Sequence, residues 1–241
     1  MELFKTSLID DANLQFYSRY YYTTINTLSP NYSFPLTQAG TVTVDAAGKY
    51  NSCITATFSA VNYLSSSSFY NFRTSNISMG MWIKIATPPS NDYSPTICAL
   101  GGDSPRFYLV AAKTTGYVSL NSYLNPTVIS AASTINICDN VWHHICGVRD
   151  GTYHKLYIDG VEAGSATAGS QDINITDFYI GRVFHATYDH LGAAYIDDLF
   201  IFNRVLTVSE IALLASNLDT YDIKYHRRVR SPGLVSGIWK P

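Results

Sequence analysis

Charge is scarce in this sequence. Only 14% of the 241 residues are Asp, Glu, Lys or Arg, against roughly 25% in an average globular chain. With a formal net charge of −2, the chain offers no electrostatic footprint for a nucleic-acid duplex or an anionic membrane. Its one basic cluster, KYHRRVR at 224–230, is interpreted as a solvated or partner-docking segment.

Long hydrophobic runs are also missing. No stretch approaches the roughly 18 apolar residues of a membrane span. The N-terminal segment MELFKTSLIDDANLQFY has no basic region followed by an apolar one, so we see no signal peptide. We therefore expect no membrane insertion and a location on a virion or on an extracellular surface.

Cysteine is sparse and unpaired in pattern. The four cysteines form no CxxC pair and have no Cys/His spacing typical of zinc. A chain of this length can bury a full core and needs no disulfide framework. Because each cysteine stands in an apolar or β-branched context, we predict that all four are buried and reduced.

Catalytic signatures are absent as well. There is no Gly-x-Ser-x-Gly elbow and no glycine-rich phosphate loop. A sandwich-type glycosidase needs two carboxylates at close alternating spacing, and no Glu-x-Asp-x-x-Glu run occurs. We predict a non-catalytic protein and keep glycoside hydrolase as the lesser alternative.

Short β-branched and aromatic runs fill most of the chain, separated by Gly, Pro, Asn, Asp and Ser. This spacing predicts an antiparallel sandwich. One short helix is predicted in TVSEIALLASN, with Thr207 or Ser209 as cap and Glu210 in the first turn. SSSSF at 65–69 and AGSATAGSQ at 163–171 have loop compositions. The predicted strands are GTVTVD, ISMGMWIKIA, SPTICALGG, RFYLVAA, YVSLNSY, WHHICGVRD, HKLYIDG, DFYIGR and AAYIDDLFIF.

The stretch VWHHICGVRDGTYHKLYIDG resembles a metal or catalytic site at first sight. Alternation along a strand places His144 on one face and His143 on the other, so the two make a poor joint metal site. The pairs Asp150-Gly151 and Asp159-Gly160 are typical of hairpin turns. We interpret the histidines as strand residues.

The same stretch, followed by FYIGR and then AAYIDDLFIFNRVLTVSEIALL, resembles the laminin-G-like, pentraxin-related branch of the concanavalin A-like superfamily. The resemblance covers roughly residues 8 to 217. It implies an all-β, two-sheet antiparallel jelly-roll sandwich with one short C-terminal helix, whose opening strand pairs near the penultimate one. It further implies that Trp82 and Trp142 anchor the core or a sheet face, and that Arg204 and Glu210 tether the final loop to the helix.

Many relatives hold a structural calcium ion, and the matching Ile-Asp-Asp element here supplies Asp197 or Asp198. Alternation would place only one of them on a given face. The partner loop usual in the family is replaced by LSPNYSFPL, although Asp10, Asp11 or carbonyls near Asn31 could compensate. Calcium is thus the one cofactor that the resemblance implies, and local capping by an Asp is the alternative.

Recognition is the function expected of such a chain, with a glycan or a protein as partner. Nineteen tyrosines, several in YSRYYYTT, FYNF, NDYSP and HATYDH, offer flat amphipathic surfaces, although β-propensity alone also enriches tyrosine. A second ligand or metal cluster is suggested in the loop FHATYDH. Its candidate residues are His185, Tyr188, Asp189 and His190.

The C-terminal segment suggests assembly with other subunits. We divide the chain into a jelly-roll domain at 1–217 and an arm at 218–241, in which Arg227, Arg228 and Trp239 are candidate docking residues. A phage or viral structural protein, such as a decoration, fibre or tail-associated protein, is the first interpretation. A secreted or cell-surface carbohydrate-binding or adhesion domain is the alternative.

Overall fold

A computed structural model describes residues 13–21, 24–27, 36–50, 52–66, 72–74, 76–90, 95–102, 106–124, 126–167, 173–184 and 190–216. These residues form antiparallel strands and one short helix. The predicted all-β sandwich is confirmed, and all nine predicted strand segments contain strands.

Within the described ranges, nine strands make the first sheet. Its main path runs β15-β14-β13-β8-β18-β1-β2, and β5 pairs with both β18 and β4. The opening strand therefore lies against the last strand, not the penultimate one. The nine strands are β1 (Leu14–Tyr21), β2 (Thr24–Thr27), β4 (Thr43–Asp45), β5 (Cys53–Phe58), β8 (Asn76–Lys84), β13 (His143–Asp150), β14 (Tyr153–Ile158), β15 (Val161–Thr167) and β18 (Gly192–Phe202).

Seven strands of the described residues make the second sheet, in the order β12-β11-β10-β9-β17-β6-β3. They are β3 (Thr37–Ala39), β6 (Tyr63–Ser66), β9 (Thr96–Leu100), β10 (Arg106–Ala111), β11 (Tyr117–Leu124), β12 (Thr127–Asn136) and β17 (Phe178–Ile180). A separate pair joins β7 (Phe72–Thr74) to β16 (Ile173–Ile175).

The main core lies between the two large sheets. Alternation sends Met79 and Met81 of β8 inward, where they join Phe107 and Leu109 of β10 in one buried cluster. At Gly147 the sheets approach so closely that a Cβ would overlap the side chain of Leu120. The apolar periodicity of the strands is thus used to fill a single inter-sheet layer.

Two titratable side chains are buried in the same layer. Arg149 and His154 face each other across β13 and β14, and both are 0% exposed. The His154 ring stacks on Phe107 at 5.9 Å, and its Nε2 lies 2.8 Å from Ser122 Oγ. Burial, followed by the charge of Arg149, lowers the pKa of His154 to about 4. His154 is therefore neutral at pH 7.

The helix α1 (Val208–Leu214) covers the outer face of the nine-stranded sheet. Thr207 caps it in a capping box: Glu210 N–H donates to Thr207 Oγ1 and Thr207 N–H donates to Glu210 Oε2. Arg204 donates through both guanidinium nitrogens to Glu210, at 3.0 and 2.6 Å. The predicted cap and the predicted tether are both confirmed.

The two Asp-Gly turns are confirmed as hairpin turns. Asp150 Oδ1 accepts the N–H groups of Thr152 and Tyr153 between β13 and β14. Between β14 and β15, Asp159 and Gly160 have φ values of 51° and 83°. Positive φ at both central residues is the pattern of a type I′ turn.

Two loop predictions were wrong. AGSATAGSQ was predicted to be a loop, but its first five residues belong to β15, where a Cβ on Gly164 would overlap the backbone of Ala132. SSSSF was predicted in the same way, yet Ser65 and Ser66 end β6. Small polar residues resemble a loop in composition, whereas here they permit close packing of strands.

The cysteine prediction is confirmed. Cys53, Cys98, Cys138 and Cys146 are all buried and free. Burial raises the pKa of Cys53 to about 12 and that of Cys138 to about 11. Neither thiol is ionised at neutral pH, so both behave as apolar core residues.

Candidate functional site: a tyrosine and arginine face

The adjacent histidines diverge as the strand alternation predicts. His144 is buried on the outer face of the nine-stranded sheet, 5.4 Å from the ring of Trp82 and 5.8 Å from that of Phe200. His143 Nδ1 lies 2.8 Å from Asp159 Oδ2, and its Nε2 lies 3.3 Å from Asp139 Oδ1. These contacts raise the pKa of His143, and the hydrogen bond with Asp159 has the largest effect. The histidines therefore stabilise the fold and the hairpin turn.

The regular strand pairing is interrupted at Asp197 and Asp198. A bulge between Asp197 and Phe200 brings both aspartates into the interior, and Asp198 has a φ of 46°. Asp197 Oδ2 accepts the Tyr50 N–H at 3.2 Å, and Asp197 Oδ1 accepts the Asp198 N–H at 2.8 Å. The bulge interrupts the period of two on which the expectation of one aspartate on each face rested.

Calcium at this bulge stays a prediction. Across the described ranges, no group of three or more His, Cys, Asp or Glu side chains could hold a metal ion. A calcium ion takes six to eight oxygens, and backbone N–H groups already use both carboxylate oxygens of Asp197. The donors that could complete a site, Asp10, Asp11 and carbonyls near Asn31, lie outside the described residues.

Most of the other predicted site residues cannot be placed. His185, Tyr188 and Asp189 of the suggested ligand loop lie outside the described residues, and so does the whole arm with Arg227, Arg228 and Trp239. His190 is described and forms a β-bridge with Arg182.

The two tryptophans differ in burial. Trp82 is only 4% exposed, packs edge-on against Tyr50 and lies under the ammonium of Lys49, which confirms it as an anchor. Trp142 is half-buried, and its ring centre lies 5.6 Å from the ammonium of Lys84, which fits the sheet-face alternative of its prediction and not the core alternative. It lies just before β13.

A face rich in aromatic and cationic side chains lies on the outside of the seven-stranded sheet. Residues on neighbouring strands stand side by side there, because the register pairs Arg106 with Tyr123 and Tyr108 with Asn121. Tyr179 of β17 pairs with Ala99 of β9 on the same face. We call this surface the tyrosine–arginine face, and its defining residues are Tyr63, Arg106, Tyr108, Tyr123, Tyr179 and Arg182.

Each arginine of this face lies over two tyrosine rings. The guanidinium carbon of Arg106 is 5.1 Å from the ring centre of Tyr108 and 4.8 Å from that of Tyr123. That of Arg182 is 3.8 Å from Tyr63 and 5.5 Å from Tyr179. Such cation–π contacts hold the rings in fixed planes.

Two backbone carbonyl groups hold the guanidinium of Arg182 in place. Its guanidinium donates to the carbonyl oxygens of Ala60 at 3.0 Å and Phe184 at 3.2 Å. Phe184 packs edge-on against Tyr179 at 6.2 Å and remains 42% exposed. Burial raises the pKa of Tyr179, whose hydroxyl therefore remains protonated at neutral pH.

Asn121 adds an unsatisfied acceptor to the face. Its side chain is 7% exposed, and its Oδ1 accepts no hydrogen bond within the part of the chain that the structure describes. A buried acceptor without a donor is costly. A ligand hydroxyl that reached Asn121 from the exposed edge of the face, beside half-buried Tyr123, would remove that cost.

The arrangement offers flat aromatic surfaces and hydrogen-bonding groups to a ligand. Flat rings accept the apolar face of a sugar or another ring, while guanidinium, hydroxyl and amide groups set its orientation. The tyrosines singled out in the sequence were in other segments, so this face was missed. The signal was present in the alternation of RFYLV and YVSLNSY, which puts Arg106, Tyr108, Asn121 and Tyr123 on one side.

Comparison with known proteins agrees with the sandwich and its motifs. Residues 58–212 match the Laminin_G_3 model of the concanavalin A-like lectin/glucanases superfamily. The fold is thus of the concanavalin A-like class. The match covers more than half of the chain, and the protein belongs to the Laminin_G_3 family. No curated protein matches the sequence.

Solved structures with the same fold include two toxin binding domains. The binding domain of Paraclostridial Mosquitocidal Protein 1 superposes with a TM-score of 0.70 at 18% identity, over 84% of this chain and 52% of that one. The ligand binding domain of botulinum neurotoxin serotype D was solved with N-acetylneuraminic acid. It superposes with a TM-score of 0.68 at 17% identity, over 88% of this chain and 52% of that one. This chain spans about half the length of those toxin chains.

A third structure is similar over nearly its whole length. Domain 4 of AbnA, a GH43 extracellular arabinanase from Geobacillus stearothermophilus, was solved with arabinotriose. It superposes with a TM-score of 0.65 at 19% identity, over 85% of this chain and 98% of that one. At these identities the likeness shows the fold alone.

Within the described ranges, no helix has the length and apolar character needed to cross a membrane.

Proposed function

We propose that this protein is a non-catalytic carbohydrate-binding module that takes glycans on its tyrosine–arginine face. The observation that carries the proposal is the set of four tyrosine rings and two guanidinium groups fixed on one side of the seven-stranded sheet. Rigid aromatic side chains lose little conformational entropy when they bind.

The more exposed residues of this face would contact a ligand first. Tyr123 and Tyr63 are half-buried and Phe184 is exposed, whereas Tyr108 and Tyr179 are almost fully buried beneath them. A sugar ring would therefore stack first on Tyr123 or Phe184. The guanidinium of Arg106, which lies over Tyr123, would donate to sugar hydroxyls there.

The similar structures support a saccharide over other ligands. One was solved with N-acetylneuraminic acid and another with arabinotriose. The second belongs to an enzyme described as extracellular, which favours a secreted or cell-surface setting for this chain as well. Assembly into a virion depends on the arm at 218–241, which lies outside the described residues, and it stays a prediction.

A glycan array tests the proposal. The wild-type protein should bind at least one class of glycan, and Tyr123→Ala should weaken that binding by about five- to 150-fold, if a sugar ring gains from an aromatic ring the roughly 1–3 kcal/mol that a stacked base gains. Tyr153→Ala is the matched control, because Tyr153 is 45% exposed on β14 of the other sheet. Equal binding by the two variants, or silence across the array, would contradict the proposal.

A further inference from the structure

A groove lined by threonine, alanine and one lysine among its residues opens on the opposite sheet. It has a volume of about 450 Å³ and lies where β4, β5, β18 and β8 run side by side. Tyr195 pairs with Thr55 on one side and with Lys84 on the other. Their strand neighbours Ile54 and Ile83 are in the core, so these three side chains point outward. We call this the threonine groove; its lining includes Thr41, Thr43, Thr55, Thr57, Lys84 and Tyr195.

The hydroxyls of the groove present acceptors. The Thr55 hydroxyl donates a hydrogen bond to the carbonyl oxygen of Ala194 at 3.0 Å, and the Thr43 hydroxyl donates one to the carbonyl oxygen of Thr55 at 3.3 Å. A hydroxyl whose O–H group already donates a hydrogen bond to the backbone can only accept hydrogen bonds from a ligand. The floor of the groove therefore favours a ligand with several O–H donors.

Lys84 supplies the single cation of the groove lining. Its ammonium lies 4.5 Å from the ring centre of Tyr195 and 5.6 Å from that of half-buried Trp142. No carboxylate of the described residues forms an ion pair with it. The two rings hold the ammonium in place without neutralising it, as an anion site requires.

We propose that the threonine groove binds one acidic sugar residue, with its carboxylate on Lys84 and its hydroxyls donating to Thr43 and Thr55. Its volume lies within the range of roughly 300–1,000 Å³ usual for small-molecule sites. Charge-assisted contact with the ammonium gives the preference for an acidic over a neutral sugar. None of these residues belongs to the tyrosine–arginine face, so this site and the proposed glycan site can fail separately.

Titration of ¹⁵N-labelled full-length protein with sodium glucuronate tests the groove. The expected result is a set of shifted backbone signals around Lys84, Thr55 and Tyr195, with methyl glucoside binding at least fivefold more weakly. Lys84→Gln should weaken glucuronate binding about tenfold and remove the preference. Lys155→Gln is the matched control, because Lys155 lies on the same sheet outside the groove and pairs with Glu162 at 3.3 Å.

A second variant tests the contact with the sugar hydroxyls separately from the contact with the carboxylate. Thr55→Val keeps the shape of the side chain but removes one acceptor, and it should weaken glucuronate and methyl glucoside alike. Inorganic phosphate that bound as tightly as glucuronate would overturn the saccharide assignment, because a plain anion site would then suffice. Shifts confined to other parts of the chain, or equal glucuronate binding by Lys84→Gln and wild type, would overturn the site itself.

Discussion

Acidification should destabilise this protein through one buried histidine. His154 is 0% exposed between the sheets, and burial and then Arg149 lower its pKa to about 4. In the unfolded chain its pKa is about 6.5. As the pH falls from 7, the unfolded state therefore binds a proton at His154 that the folded state does not bind, and the free energy of unfolding decreases.

The size of this effect follows from the two pKa values. A shift of one unit corresponds to about 1.4 kcal/mol, and the folded and unfolded values differ by about 2.5 units. His154 alone should then reduce the free energy of unfolding by about 2 kcal/mol at pH 5 and about 3 kcal/mol at pH 4. Most of the loss comes before the carboxylates titrate.

Urea denaturation at pH 7, 6, 5 and 4 measures the effect, with His154→Gln as the control. Glutamine keeps a donor for Ser122 Oγ, which lies 2.8 Å from His154 Nε2, but does not titrate in this range. His143, whose pKa is raised, contributes to both proteins and cancels in the comparison. The wild type should lose about 2 kcal/mol more than the variant between pH 7 and pH 5. Parallel pH profiles for the two proteins would refute this reasoning.

Three further predictions concern the helix, one tight glycine and the bulge. Thr207→Ala should lower the free energy of unfolding by about 1 kcal/mol, because it removes the cap of α1; urea denaturation that shows no change would contradict this. Gly181→Ala should destabilise more than Gly192→Ala by at least about 1 kcal/mol. Both glycines have positive φ, but only at Gly181 would a Cβ overlap Phe58, and equal melting temperatures would refute the steric reason. If Asp197 and Asp198 hold calcium, the ion at a hundredfold its Kd should add roughly 2.7 kcal/mol, and Asp198→Asn should abolish that gain; thermal unfolding that is the same in EDTA and in calcium would contradict the prediction.

Much of the fold could be predicted from the sequence because its apolar strand segments are short and are bounded by Gly, Pro, Asn, Asp and Ser. The Asp-Gly turns and the capping box of α1 depend on local chemistry, and they were found where that chemistry indicates. β12 and β15 were missed. They are edge strands of different sheets and are rich in small polar residues, and they pack against each other where Gly164 approaches the backbone of Ala132.

The candidate site was harder to predict than the fold. Tyr123 and Arg106 come from two strands, and Tyr63 and Tyr179 from two others, so only the strand order of the sheet brings them together. Periodicity gives the face of each side chain but not its neighbours. The bulge at Asp198 was unpredictable for a related reason, since its positive φ interrupts the alternation on which the prediction rested.

Mapping the bound glycan on the fold tests the proposed function most directly. The measurement is a backbone ¹H–¹⁵N titration of the full chain with the neutral glycan that binds best on the array. We expect the shifted signals to cluster on β10, β11 and β17, around Arg106, Tyr123 and Tyr179. Shifts that leave this face unchanged and gather elsewhere on the chain would contradict the proposal.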